Sequence, residues 1–151
     1  MKLLRQESNQ CLITSFAMLI DKDVKDIVKD LNVPPDAVIG CGLGHQPHPR
    51  SYHIDELQEY VNEKFQGFLV SYDARPTIAY VDDCRHQIYE FSAEERFLNI
   101  IKDRKALLLG RTENNVPHAY AWDGSYMYDP RGMKFELIFD RIDRALVLYY
   151  L

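Results

Sequence analysis

Cys11, His118 and Asp129 are the residues of this 151-residue chain whose types and placement fit nucleophilic catalysis. Cys11 opens the run Cys-Leu-Ile-Thr-Ser-Phe-Ala-Met-Leu-Ile, and with Asn9 as N-cap it falls in the first turn of an apolar helix. Free backbone N–H groups and the positive end of the helix dipole favour a thiolate there. The alternative is that Cys11 is a small buried hydrophobe, which is the commoner role of a lone cysteine.

His118 and Asp129 lie in two β-rich runs that flank Asp123-Gly124, a strong hairpin signal. If Asp123 and Gly124 are the two turn residues, His118 stands directly opposite Asp129 on one face of the sheet. A carboxylate beside an imidazole fixes its tautomer and stabilises the imidazolium, as the third member of a triad does. Alternatively, His118 is a strand-end histidine and residues 129–132 are simply a turn. The three residues together match the pattern of a cysteine nucleophile with its base.

The segments that carry these residues read Cys-Leu-Ile-Thr-Ser-Phe-Ala-Met and His-Ala-Tyr-Ala-Trp-Asp-Gly-(x)4-Asp-Pro, with a glutamine before the cysteine. Over about residues 6–132 this order resembles papain-like cysteine peptidases, most closely the bacteriocin-processing, double-glycine leader peptidases and their stand-alone relatives. The resemblance implies that Cys11 attacks a carbonyl, that His118 is its base and that Asp129 orients His118. It also implies that an upstream glutamine completes the oxyanion hole.

Two glutamines precede the nucleophile, Gln6 and Gln10. The family places this glutamine six residues ahead of the cysteine, where this chain has Arg5. We assign the oxyanion role to Gln6, since Gln10 adjoins Cys11 and cannot easily aim its amide at the same oxygen. Leu12 is a second departure, because the leader peptidases usually carry glycine there.

The substrate-binding residues predicted for this site are Trp122, Tyr120 and Gln10. Trp122 and Tyr120 share a hairpin face with His118 and are candidates to line a subsite, or alternatively to fill space between sheet and helix. By analogy with the family, a cleavage site of the Gly-Gly type is expected.

Length and composition predict one domain over residues 1–151 with a single core. A net charge of −5 argues against non-specific nucleic-acid binding, and no apolar run is long enough to span a bilayer or to form a signal peptide. We therefore expect a cytoplasmic protein that acts on a peptide or protein, without a cofactor. The three cysteines, at 11, 41 and 84, are too widely spaced for a disulfide framework and are expected to be free thiols.

The periodicity predicts an α+β fold of papain-like type, with N-terminal helices, the nucleophile at a helix start, and a C-terminal antiparallel sheet. Four helices are expected. Three lie over about 9–20, 24–31 and 54–64, with Ser51 or Tyr52 near the cap of the third. The fourth begins after a capping box formed by Ser92 and Glu95. The expected strands are 68–72, 77–81, 106–111, the hairpin around 123–124, 133–139 and 145–151.

Residues 39–53 form a long segment rich in glycine, proline and histidine, which we interpret as a loop on the substrate side of the molecule. Cys41, His45, His48 and His53 also permit a zinc site, but their spacing matches no known closed site. Cys84 and His86 are expected to serve packing or surface only.

Three alternatives to a peptidase follow from the same residues. A catalytically inactive papain-like module would bind a peptide or protein, which the shortened glutamine spacing and Leu12 make credible. A metal-binding domain would centre on residues 41–53. An amidase or acyltransferase would use the same triad and differ only in the acceptor of the acyl group.

Overall fold

The computed structural model describes residues 1–7, 10–32, 38–39, 48–49, 52–75 and 92–150, with 38–39 and 48–49 considered as backbone only. In this part of the chain four helices accompany a six-stranded antiparallel sheet and a two-stranded ribbon, as the predicted α+β class requires. The helices are α1 (Cys11–Leu19), α2 (Val24–Leu31), α3 (Ile54–Phe65) and α4 (Ala93–Ile101). The strands are β1 (Val38–Ile39), β2 (His48–Pro49), β3 (Gly67–Asp73), β4 (Ala106–Arg111), β5 (Pro117–Trp122), β6 (Met127–Asp129), β7 (Met133–Phe135) and β8 (Ile142–Tyr150).

The large sheet has the strand order β3-β8-β4-β5-β6-β7, and the small ribbon pairs β1 with β2. The strands from β4 to β7 form a meander, whereas β8 returns to lie between β3 and β4. Apolar side chains cover both faces of the sheet. One face packs on α1, α2 and α3. The other covers α4 and the turn of 3₁₀ helix at Phe139–Arg141.

Helix α1 is buried along nearly its whole length, from Ile13 to Leu19. Its apolar positions face several directions, so the helix is covered by the sheet on one side and by α2 and α3 on the other. The N-cap is Gln10, whose side chain makes no capping hydrogen bond, and Cys11 is the first helical residue. The prediction of Asn9 as N-cap was wrong by one residue, and Asn9 itself lies outside the described residues.

The other helix starts follow local capping chemistry. The hydroxyl of Ser92 accepts a hydrogen bond from the Glu95 N–H at 3.2 Å, as the predicted capping box requires at the start of α4. Helix α3 starts at Ile54 as predicted, and its cap lies one or two residues after Ser51 or Tyr52, which were expected near it. Its cap is His53, whose N–H donates to the Glu56 carboxylate at 3.2 Å.

The hairpin between β5 and β6 has a different register from the predicted one. Its central turn residues are Gly124 and Ser125, with Asp123 and Tyr126 flanking them. Gly124 has φ of +103°, and the Asp123 carboxylate accepts the N–H groups of Ser125 and Tyr126, both at 2.8 Å. Glycine at the first central position is typical of a type II′ turn, and the aspartate fits better as its flanking Asx residue.

This turn moves the pairing by two positions. Ala121 pairs with Tyr128 and Trp122 with Met127, so His118 and Asp129 are not directly opposed as predicted. A shift of two leaves every side chain on the same face of the sheet, because the period of a strand is two. His118 and Asp129 therefore meet diagonally instead of directly.

The end of the chain also differs from the prediction. The expected strand over 133–139 ends at Phe135, since Phe139–Arg141 form a turn of 3₁₀ helix, and the last strand begins at Ile142 instead of Ala145. The predicted strand over 77–81, the pair Cys84 and His86, and the side chains of Cys41, His45 and His48 lie outside the described residues. Among the helices that are described, none has the length and apolar character needed to cross a bilayer.

Gly110 is required by a close approach of two strands. It pairs with His118 in β5 and lies at an irregularity in the pairing of β4 with β8. A Cβ atom at this position would lie 1.8 Å from the carbonyl oxygen of Arg141, which is backbone and cannot easily move. The start of β8 can therefore lie this close to β4 only because residue 110 has no side chain.

We expect Gly110→Ala to lower the free energy of unfolding by on the order of 4 kcal/mol or more, because it forces the strands apart. Gly132→Ala is the matched control: its Cβ has room, with the nearest atom at 3.8 Å, but φ is +99°. That backbone strain alone should cost about 1–3 kcal/mol. Urea denaturation measures both, and equal losses in the two variants would contradict the steric explanation.

Candidate active site

Cys11 is half-buried at the start of α1, beside the beginning of β5. The Ser15 hydroxyl, one turn further along α1, donates to the Ala119 carbonyl at 3.0 Å and fixes the helix on the strand. Burial raises the pKa of the Cys11 thiol, but a hydrogen bond with His118 and backbone N–H groups of Ala119 and Leu12 outweigh it. The pKa of Cys11 is consequently lower than that of an ordinary thiol, as a nucleophilic sulfur requires.

His118 lies between the thiol and a carboxylate. Its Nε2 is 2.9 Å from Oδ1 of Asp129, which leaves Nδ1 as the ring nitrogen for Cys11. Burial lowers the pKa of His118, but hydrogen bonds to Asp129 and Cys11, together with their negative charges, raise it to about 9. The imidazole is thus held mainly as an imidazolium near neutral pH, next to a thiol that ionises readily.

Asp129 is fully buried, with 0% of its side chain exposed. It begins a turn in which the Gly132 N–H donates to the Asp129 carbonyl at 2.9 Å and Arg131 donates its own N–H to Oδ1. Burial raises the pKa of the Asp129 carboxyl, but hydrogen bonds from His118 and Arg131 hold it well below the usual range. Residues 129–132 are therefore both a turn and the support for the histidine.

Two residues of this site were not foreseen from the sequence. The Arg131 side chain donates to both oxygens of Asp129, with Nη2 2.7 Å from Oδ2 and Nε 3.2 Å from Oδ1. The same guanidinium forms a two-pronged pair with Glu113, with both N–O distances at 3.0 Å. The signal in the sequence was the arginine two residues after Asp129. Glu113 has no such signal, since it comes from the loop between β4 and β5.

The two glutamines occupy different surroundings. The Gln6 N–H donates to the Pro130 carbonyl, which ties the N-terminal segment to the turn after Asp129. Gln6 Oε1 is buried without a hydrogen-bond partner among the described residues. Gln10 instead lines a cavity of about 580 Å³ that extends to Val28 of α2, and the assignment of Gln10 to substrate binding stays a prediction.

Tyr120 and Trp122 are both packed in the core. Tyr120 has 0% exposure, donates its hydroxyl to the Arg111 carbonyl at 2.7 Å, and meets the His118 ring edge-to-face with centroids 4.9 Å apart. Trp122 donates its indole N–H to the Ile101 carbonyl at 2.9 Å, beneath α4. Tyr120 therefore supports the imidazole, and Trp122 joins the sheet to a helix. Their predicted contact with substrate has no structural observation in its favour.

Among the residues that the structure describes, no group of three or more histidine, cysteine, aspartate or glutamate side chains is arranged to hold a metal ion. Of the zinc candidates, only the side chain of His53 is described, and it caps α3.

Comparison with known proteins yields no further assignment: no family model matches the chain, and neither a curated protein nor a solved structure is significantly similar to it.

The pKa of His118 has a consequence for stability. The ordinary value is 6.5 and the folded-state value about 9, so protonation of His118 stabilises the folded chain. This contribution is complete below pH 6.5 and is lost as the pH rises through 9. The lowered pKa of Cys11 acts in the opposite direction, so the comparison is made in a Cys11→Ser background. There Asp129 still raises the pKa of His118, so we expect the free energy of unfolding to fall above pH 6.5 more steeply with His118 than with His118→Gln, in denaturant titrations. Parallel curves would contradict the raised pKa.

Proposed function

We propose that this protein is a cysteine-dependent hydrolase of papain-like type that cleaves a peptide or isopeptide bond. The observation that carries the proposal is the position of His118, which contacts a half-buried thiol on one side and a buried carboxylate on the other. The thiol comes from residue 11, more than a hundred positions away from its partners. A packing role for Cys11 requires neither the imidazole nor the carboxylate behind it.

The reaction proposed begins with the thiolate of Cys11 and the imidazolium of His118. The Cys11 sulfur attacks the carbonyl carbon, and the carbonyl electron pair moves to oxygen. His118 then donates its proton to the leaving amine, so that the C–N bond breaks and a thioester remains. His118 next takes a proton from water, whose oxygen attacks the thioester. The acid product leaves and the thiolate with its imidazolium is restored.

Asp129 keeps its negative charge throughout this sequence. Its low pKa means that it does not take the proton from His118, so its contribution is to orient the ring and stabilise the imidazolium. Tyr120 restricts the ring from another side by its edge-to-face contact.

For the oxyanion, we propose donation from the Cys11 N–H, which has no partner within the helix because Cys11 is the first residue of α1, and from the side-chain amide of Gln6. One observation supports Gln6: its backbone N–H donates to the Pro130 carbonyl, in the turn that follows Asp129.

The substrate class rests on the resemblance and on the chemistry of the site. A small pair of residues such as Gly-Gly before the cleaved bond is the expected form, and transfer of the acyl group to an amine is the variant of the same chemistry. A reduced thiol nucleophile also suits the reducing cytoplasm, where we place the reaction.

Selective labelling tests the nucleophile. We expect iodoacetamide at pH 7 to modify Cys11 at least about tenfold faster than Cys41 or Cys84, because the hydrogen bond with His118 lowers the pKa of the Cys11 thiol. Mass spectrometry of the digested protein gives the three rates. Cys11→Ala should remove the fast phase and all hydrolysis of a fluorogenic Gly-Gly peptide, while a Cys41→Ala and Cys84→Ala double variant keeps both. Equal labelling rates at the three cysteines would leave a binding module in place of the enzyme.

Substitution of the two glutamines tests the oxyanion hole. Gln6→Ala should lower kcat for the fluorogenic peptide by on the order of a hundredfold or more, with little change in KM, since the lost donor acts in the transition state. Gln10→Ala is the matched control and should alter KM more than kcat. The reverse result would transfer the oxyanion role to Gln10. Circular dichroism confirms that both variants are folded.

A further inference from the structure

We propose that Arg131, clamped by Glu113, is a positioning residue of the triad that fixes the plane of the Asp129 carboxylate and offsets its charge at His118. The role rests on the proposed function, since it acts on the same site. Arg131 does not touch the thiol or the reacting carbonyl; it acts through Asp129.

The geometry gives Arg131 a hold on both oxygens of Asp129. Three side-chain hydrogen bonds of 2.7–3.2 Å join the guanidinium to the carboxylate, and the Arg131 backbone N–H adds a fourth at 2.9 Å. Because the guanidinium is planar and its donors are fixed relative to one another, it determines the plane of the carboxylate as well as its distance. Oδ1, the oxygen that faces His118, is thereby held in one direction.

Glu113 in turn fixes the guanidinium. Its two oxygens accept Nη1 and Nη2 of Arg131, both at 3.0 Å, and Arg141 approaches the same carboxylate at 3.6 Å. The hydrogen bonds to Arg131 lower the pKa of Glu113 to about 2, so it stays charged over the working range. A single arginine therefore connects the loop before β5 to the turn after β6, the two segments that bracket His118.

The charges follow from the same contacts. His118 faces Asp129 and Cys11; Asp129 faces His118 and Arg131, with Tyr120 nearby; Arg131 faces Asp129 and Glu113. The positive charge of Arg131 lowers the proton affinity of His118, and the negative charge of Glu113 reduces this effect. Loss of Arg131 and loss of Glu113 must therefore change the proton affinity of His118 in opposite directions. A merely structural role would not do so.

The experiment measures the titration of His118 by NMR in protein with ¹³C-labelled histidine. We expect Arg131→Met to raise the midpoint of His118 by on the order of one pH unit, and Glu113→Gln to lower it by less. Arg131→Lys, which keeps the charge without the fork, should leave the midpoint near that of the wild type. In both Arg131 variants the downfield proton on His118 Nε2 should weaken or vanish, because the carboxylate is no longer fixed.

Arg144→Met and Glu136→Gln are the matched controls, since they make the same substitutions at exposed positions outside the site. Neither should change the His118 titration. If Arg131→Met unfolds the chain, two readouts still test the proposal. Arg131→Lys should weaken the His118 Nε2 proton signal, and Glu113→Gln should lower the midpoint of His118. The proposal is overturned if Arg131→Met and Glu113→Gln shift His118 in the same direction, or if neither moves it.

Failure of the proposed function has a different signature. In that case Cys11 in the wild type is alkylated no faster than Cys41 or Cys84, whatever the titration of His118 shows. A fast Cys11 with a His118 titration unaffected by Arg131 and Glu113 would overturn only the positioning role.

Discussion

The packing of α1 against β5 is the interaction on which the rest of the structure depends. The helix is apolar on most of its surface and can be stable only when it is covered on several sides. Alanines at 119 and 121 keep the strand thin where the helix lies on it, and the Ser15 hydroxyl donates a hydrogen bond to the Ala119 carbonyl. Because Cys11 is the first residue of that helix, the same packing that buries the helix delivers its thiol to the start of β5. Burial of the apolar helix thus brings the side chains of Cys11 and His118 together.

Charge is handled by alternation. Outward from the Cys11 thiol, whose pKa is lowered, the signs run positive at His118, negative at Asp129, positive at Arg131 and negative at Glu113. Side-chain exposure rises along the outer half of this series, from 0% at Asp129 through 29% at Arg131 to 46% at Glu113. A buried carboxylate is costly unless it is paired, and here it is paired twice. The exposed Glu113 is thus connected to the buried Asp129 by direct hydrogen bonds through Arg131.

The sequence predicted the parts of the site that depend on local rules. Helix starts, the strand at 106–111 and the shared face of His118 and Asp129 follow from periodicity and capping, and the face was right even though the hairpin turn was placed one residue too early. A shift of two in the pairing leaves each side chain on the same face of the sheet. The position of the turn, at Asp123-Gly124 or at Gly124-Ser125, depends instead on which backbone N–H groups the Asp123 carboxylate can accept. The contact of Arg131 with Glu113 joins two loops, and no periodicity reports on loop proximity. Trp122 packs between the sheet and α4, which was the alternative weighed against its role in a subsite.

The place of β8 in the sheet has a consequence for how the molecule assembles. Strands β4 to β7 are sequence neighbours and can pair locally, but β3 joins the sheet only through β8, the last described strand in chain order. Its registers join Gly67 to Tyr150 and Ala106 to Val147, contacts of high sequence separation that make folding slow. During synthesis β3 therefore has no strand partner in this sheet until β8 arrives. The nascent chain is therefore expected to depend on chaperones to a degree that its modest size would not suggest.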